Sequence, residues 1–148
     1  MNNIAQNLYT AKWQIMERYL ANHRPWQYLR DHTHAVDLAI DALWNKIFGT
    51  NSPLALLATG GYGRQELYPH SDVDLAIVST DELTENQKNQ IIIFTQQLWN
   101  LSLSPAIKSG SLKQLCDSAQ TDLTADTAFL ESRYLAGSLK KAQDFQAA

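Results

Sequence analysis

The chain has 148 residues, 45% of them hydrophobic and 18% charged, with a formal net charge of −3. That length and apolar share suit one globular domain with a real core. The acidic balance disfavours bulk attraction to DNA, RNA or anionic lipid, yet leaves room for a local cationic pocket. A single cysteine, Cys116, excludes an internal disulfide framework and a multi-cysteine zinc site, and makes reducing cytoplasm the default compartment.

The start, "MNNIAQNLYTAKWQ", lacks a basic segment followed by an apolar block, so no signal peptide is expected. No apolar run approaches the roughly 20 residues that span a bilayer. Ile4, Leu8, Ala11, Ile15 and Tyr19 recur at helical spacing, with Asn2 or Asn3 as cap and Pro25 limiting the helix. A second helical pattern runs through Val36, Ile40, Leu43 and Ile47 and stops at Gly49. "LALLAT" and "VDLAIV" are continuous apolar runs that predict short strands buried on both faces. A Gly-rich connection joins them. A helix is predicted from Asp81 to Trp99, capped by Thr80 or Asp81, and then a short strand or loop over "LSLSPAIKSGSL". Two more helices should follow, the last ending near "YLAGS" with Gly137 as its C-cap. The order predicts an α/β or α+β fold, a small mixed sheet flanked by helices.

The chemistry gathers between the two strands. Asp72 and Asp74 are two apart on a predicted strand, so both side chains leave one face while Val73 and Leu75 enter the core. Carboxylates so placed raise each other's pKa unless a cation neutralises them. Mg²⁺ suits that task, since it favours one or two carboxylates together with substrate phosphate oxygens. Gly60, Gly61 and Gly63 let the backbone approach a phosphate, and free N–H groups there could cradle its oxygens. Arg64 adds a fixed guanidinium fork, and Ser71 can donate a hydrogen bond to a carboxylate or phosphate. The connection returns the glycines beside the acids, as phosphoryl-type transfer requires.

The stretch "LLATGGYGRQELYPHSDVDLAIVS" resembles the nucleotidyltransferase signature of the DNA polymerase β superfamily. More narrowly, residues 54–138, including "LWNLSL" and "DLTADTAFLESRYLAGS", resemble the bacterial PII uridylyltransferase/uridylyl-removing family. Gly60, Gly61, Gly63, Arg64, Glu66, Pro69, Ser71, Asp72 and Asp74 match that family's motif. The resemblance implies a polymerase β-type fold with N-terminal helices: residues 1–50 as a helical segment packed on the domain, residues 51–148 as the nucleotidyltransferase core. It implies glycines that hold the UTP phosphates and aspartates that hold Mg²⁺. It also implies transfer of UMP to a tyrosine hydroxyl of the PII nitrogen-signalling protein, with release of pyrophosphate. Asp122, which matches a family aspartate in "DLT", is the expected third acid, ahead of Asp126 and Glu131. The chain departs from the family at Gln65, where a glycine is usual, and at Ala106–Ser111, which replaces "GHSVRT". The altered 106–111 segment supports a rival reading, a degenerate nucleotide-binding or interaction domain. A third reading is a nucleotidyltransferase that uses ATP on another acceptor. The family's hydrolase and sensing modules are not expected in this chain, which has no His-Asp dipeptide in that order and ends at Ala148.

Other residues invite plainer readings. Asp31, His32 and His34 in "DHTH" read as a solvated helix entry rather than metal ligands. His70 lies inside the motif, as a site residue or a turn residue. Trp13, Trp26, Trp44 and Trp99 read as core, and Cys116 as a small core residue. Tyr62 could stack on a base or cover the sheet edge, and Glu131 and Arg133 carry no assigned role.

Overall fold

The computed structural model describes residues 2–121 and 132–147. Helix α1 (Asn2–Asn22) buries Leu8 and Ile15, on the face its apolar spacing marks out. Helix α2 spans Pro25–Phe48 and begins at the proline itself, whose missing N–H is no loss in a first helical turn. Pro25 therefore starts α2 as well as limiting α1, and Asp31, His32 and His34 lie within the helix rather than at its entry. The helix stops at Gly49, which adopts φ 81° and returns its N–H to the Asn45 carbonyl at 3.1 Å.

Four strands follow: β1 (Ala55–Ala58), β2 (Asp72–Ser79), β3 (Ser104–Ser111) and β4 (Arg133–Gly137). Their order in the sheet is β3-β2-β1-β4, with β1 antiparallel to both neighbours and β2 parallel to β3. A parallel pair needs a crossover, which α4 (Glu85–Asn100) supplies. That helix starts later than Asp81 because Thr84 and Gln87 form a reciprocal capping box, each side chain accepting from the other's backbone N–H.

The segment expected to be a helix ending at Gly137 is the edge strand β4, paired with β1. Gly137, at φ 83°, lies so close to β1 that a Cβ there would run into the Leu54 carbonyl oxygen. Among the described residues the remaining helices are the one-turn α3 (Gly60–Gly63), α5 (Leu112–Thr121) and α6 (Leu139–Ala147).

Both faces of the sheet are covered. Leu56, Ala58, Val73, Leu75 and Ile77 pack with residues of α1, α2 and α4, around the fully buried Trp44 and Phe94. On the other face Ala55, Leu57 and Val78 meet Leu115 of α5 and Ala142 and Phe145 of α6. Of the four tryptophans only Trp44 is core; Trp13, Trp26 and Trp99 are exposed, and Cys116 is half-buried. Among the described residues no helix is long and apolar enough to cross a membrane.

Candidate active site

Alternation along β2 sends Asp72 and Asp74 to the face that carries α5 and α6. Val73 and Leu75 are buried on the opposite face. Asp72 is exposed and Asp74 half-buried. Burial pushes the Asp74 carboxyl above its usual range, and the neighbouring Asp72 charge pushes it further; Lys108 and Arg64 pull the other way. Lys108 comes from β3, where Ser104 and Ala106 stand beside Asp72 and Asp74 in register.

The glycine turn meets this pair directly. β1 ends as the Thr59 N–H donates to the Asp74 carbonyl at 3.0 Å, and α3 begins one residue later. Gly60 adopts φ 58°, and a Cβ there would stand 2.7 Å from Asp74 Oδ2. Only hydrogen fits between backbone and carboxylate at this point. The turn closes on itself through Gly63 N–H to Thr59 O at 2.9 Å, Arg64 N–H to Gly60 O at 3.1 Å and Glu66 N–H to Gly61 O at 2.9 Å. The Gly63 amide is thus engaged within the turn. Those of Gly60, Gly61 and Tyr62 occupy a first helical turn, whose N–H groups have no partner inside their own helix. Arg64 reaches back over Gly61 and pairs with Glu66 at 3.4 Å, an exposed contact of small energetic weight.

Two anchors that the sequence did not reveal hold this turn and the loop after it. Tyr62, buried rather than stacked in the open, donates its hydroxyl to Asp37 Oδ1 on α2 at 2.6 Å. Arg133 on β4 grips the same carboxylate in two places, Nη1 to Oδ2 at 2.7 Å and Nη2 to Oδ1 at 3.2 Å. Its Nη2 also donates to the Tyr62 carbonyl at 3.0 Å, and its guanidinium lies 5.2 Å from the centre of the Tyr62 ring. Burial and the Asp37 charge push the Tyr62 hydroxyl well above its ordinary range, so it stays protonated and keeps donating.

The second anchor is Leu67. Its N–H donates to Thr33 Oγ1 at 3.2 Å, and its carbonyl accepts from His32 Nδ1 at 2.9 Å. "DHTH" is therefore neither a metal site nor a wholly solvated cap: His32 and Thr33 are buried loop anchors, while Asp31 pairs with Arg18 at 3.6 Å. Gln65 and His70 flank the anchored leucine at φ 63° and 67°, a region that side-chain-bearing residues seldom occupy. Gln65 thus fills a position that favours glycine. Ser71 follows, half-buried, at the entry to β2.

The structure brings together Gly60, Gly61, Arg64, Asp72 and Asp74. Asp122, Asp126 and Glu131 lie outside the described residues. Among the described residues no cluster of three or more His, Cys, Asp or Glu side chains is placed to hold a metal ion.

Residues 14–102 match the family described as "Putative nucleotidyltransferase DUF294", a span that contains the glycine turn and both aspartates. The chain belongs to this nucleotidyltransferase family. A relative named bifunctional uridylyltransferase/uridylyl-removing enzyme, from Neisseria meningitidis serogroup A, is 46% identical over 143 residues, which is 95% of this chain and 17% of that protein. Its namesake from Acinetobacter baumannii is 33% identical over 131 residues, 88% of this chain and 15% of that one. The chain spans less than a fifth of the length of these curated relatives. A crystal structure of the toxin–antitoxin MntA-HpeT superposes with a TM-score of 0.49 at 15% identity, covering 75% of this chain and 81% of that one.

Proposed function

We propose that this nucleotidyltransferase domain transfers UMP from UTP to a tyrosine hydroxyl of the PII protein, in the cytoplasm, releasing pyrophosphate. One observation carries the reading: the Asp74 carboxylate lies against Gly60, so the backbone turn and the acid pair form one continuous surface. The name borne by the relatives, a uridylyltransferase, supports uracil as the base.

The donor set fits a hard divalent ion. Two carboxylates share a face, and burial together with the Asp72 charge penalises ionisation of Asp74, a penalty a bound cation would relieve. Bound by Asp72 and Asp74, Mg²⁺ would supply charge neutralisation of the triphosphate and a lower pKa for the acceptor hydroxyl. The chain's own groups do the rest. Gly60 and Gly61 admit phosphate oxygens to the backbone, while Gly63 completes the turn. Arg64 exchanges Glu66 for a phosphate, and Ser71 donates from the other side of Asp72. Asp122 is the proposed third acid. A bond forms between the tyrosine oxygen and the α-phosphorus, the bond from that phosphorus to pyrophosphate breaks, and the hydroxyl proton passes to solvent water.

The test is transfer of labelled UMP to PII by the purified chain with Mg²⁺. Asp72→Asn and Asp74→Asn should each abolish it while retaining a cooperative melt; full activity in either overturns the proposal. Screening the four ribonucleoside triphosphates for Mg²⁺-dependent thermal stabilisation tests the choice of UTP, because a ligand raises the melting temperature by mass action.

A second reading, nucleotide binding without turnover, has its own support. The strand beside the acids offers Ser104 and Ala106 where a third carboxylate could stand, and Lys108 already works on Asp74. Saturable UTP binding with no transfer to PII would decide for it.

A further inference from the structure

A cavity of about 490 Å³ opens between α1, α2 and the loop that enters β2. It lies on the opposite face of β2 from the acid pair, since Val73 lines it and Asp72 and Asp74 do not. None of Gly60, Gly61, Gly63 or Arg64 lines it, and Ser71 and Ser104 stand at its boundary with the acid pair. Its size is within the range of small-molecule sites.

The walls are aromatic: Tyr9 and Trp13 from α1, Tyr28 from α2 and Tyr68 from the loop. Three basic side chains, Lys12, His32 and His70, also line it, and no aspartate or glutamate does. Lys12 is half-buried, and among the described residues no carboxylate pairs with it. An ammonium so placed has lost part of its hydration without gaining a counter-charge. His32, only 6% exposed, lies parallel to the Tyr28 ring, 6.1 Å between centres. Its Nδ1 must carry the proton, because the Leu67 carbonyl can only accept. The neutral ring therefore presents Nε2 as an acceptor, and among the described residues nothing donates to it.

We propose that this cavity is a second ligand site, for a small aromatic monocarboxylate that bears a ring N–H or O–H. The flat ring lies among Tyr9, Trp13 and Tyr28, the carboxylate meets Lys12, and the ring donor satisfies His32 Nε2. This occupant answers each feature in turn: aromatic walls, an ammonium without a partner and a ring acceptor that no side chain meets.

Titration of the ¹⁵N-labelled chain with indole-3-acetate, followed by amide shifts, tests the proposal, with indole and acetate as controls. Indole-3-acetate should saturate below about 5 mM, moving the amides of Lys12–Met16, His32 and Leu67–His70. Lys12→Met, which keeps the side-chain length and removes the charge, should weaken indole-3-acetate by about fivefold. The same substitution should leave indole binding and the rest of the spectrum unchanged. No saturation, or undiminished binding of indole-3-acetate by Lys12→Met, overturns the proposal. So does a response centred on Gly60–Gly63 and Asp74.

Discussion

Arg133 Nη1 lies 2.7 Å from Asp37 Oδ2, a contact that joins an edge strand to a helix 96 positions earlier in the chain. Both side chains are about four-fifths buried, 21% and 22% exposed, and between them they hold Tyr62 at its hydroxyl and its carbonyl. The glycine turn is thus fastened from outside the nucleotidyltransferase motif. Removing one partner strands a mostly buried charge. Arg133→Met should lower the unfolding free energy by about 2–3 kcal/mol, less than a fully buried pair would lose. Urea denaturation checks this. Combined with Asp37→Asn, the loss should be smaller than the sum of the two single losses.

Gly60 and Gly61 should answer differently to alanine. At Gly60 the added methyl meets Asp74 Oδ2 on a backbone already at φ 58°. The expected cost is about 1–2 kcal/mol, with UTP–Mg²⁺ affinity reduced by at least about tenfold. At Gly61 the methyl would stand 3.5 Å from an Arg64 terminal nitrogen and 3.7 Å from the Glu66 carbonyl, both ordinary contacts. Gly61→Ala should stay within about 0.5 kcal/mol of wild type. Thermal melts and calorimetry on the two variants make the comparison.

Ionised Asp74 should weigh against folding when no cation is bound. Its pKa is raised in the native state, so the native protein holds this proton more tightly than the unfolded chain does. The stability it contributes is present below the unfolded value and lost as pH rises through the native one. At neutral pH, Asp74→Asn should therefore melt higher than wild type in chelator and gain nothing from UTP with Mg²⁺. Equal melting temperatures in chelator would contradict this.

His32 sets the opposite slope. Burial pushes its pKa below the ordinary 6.5, with Lys12 and His70 adding to the effect and the Leu67 hydrogen bond opposing it. The unfolded chain therefore takes up this proton first. Stability due to His32 should be complete above about pH 6.5 and fall as the medium is acidified towards its native value. The denaturant midpoint should drop below about pH 6.5, and His32→Asn should flatten that dependence.

What was legible in the sequence follows the range of the interactions involved. The Asp72–Leu75 alternation is read within four residues, and β2 carries it as expected. The apolar face of α1 and the stop at Gly49 are equally local. The capping box of α4 was also written locally, as Thr84 with Gln87, and could have placed its start. β4 was not legible, because "RYLAG" is a strand through pairing with β1 and nothing within five residues records that partner. Arg133 looked idle for the same reason, as did His32, which bonds a carbonyl 35 residues away. The exposed Trp13, Trp26 and Trp99 share helical spacing with core residues, and periodicity does not tell the two faces of a helix apart.

The short strand β4 is indexed at both ends by different kinds of force. At one end the absence of a side chain on Gly137 lets it seat against Leu54; at the other a guanidinium finds its carboxylate. A slip of one residue would drive a methyl or hydroxymethyl group into the Leu54 oxygen and pull Arg133 off Asp37 in the same movement. Mispairing at this edge is thus penalised twice, so five residues suffice to fix a correct alignment that so short a ribbon could not otherwise remember.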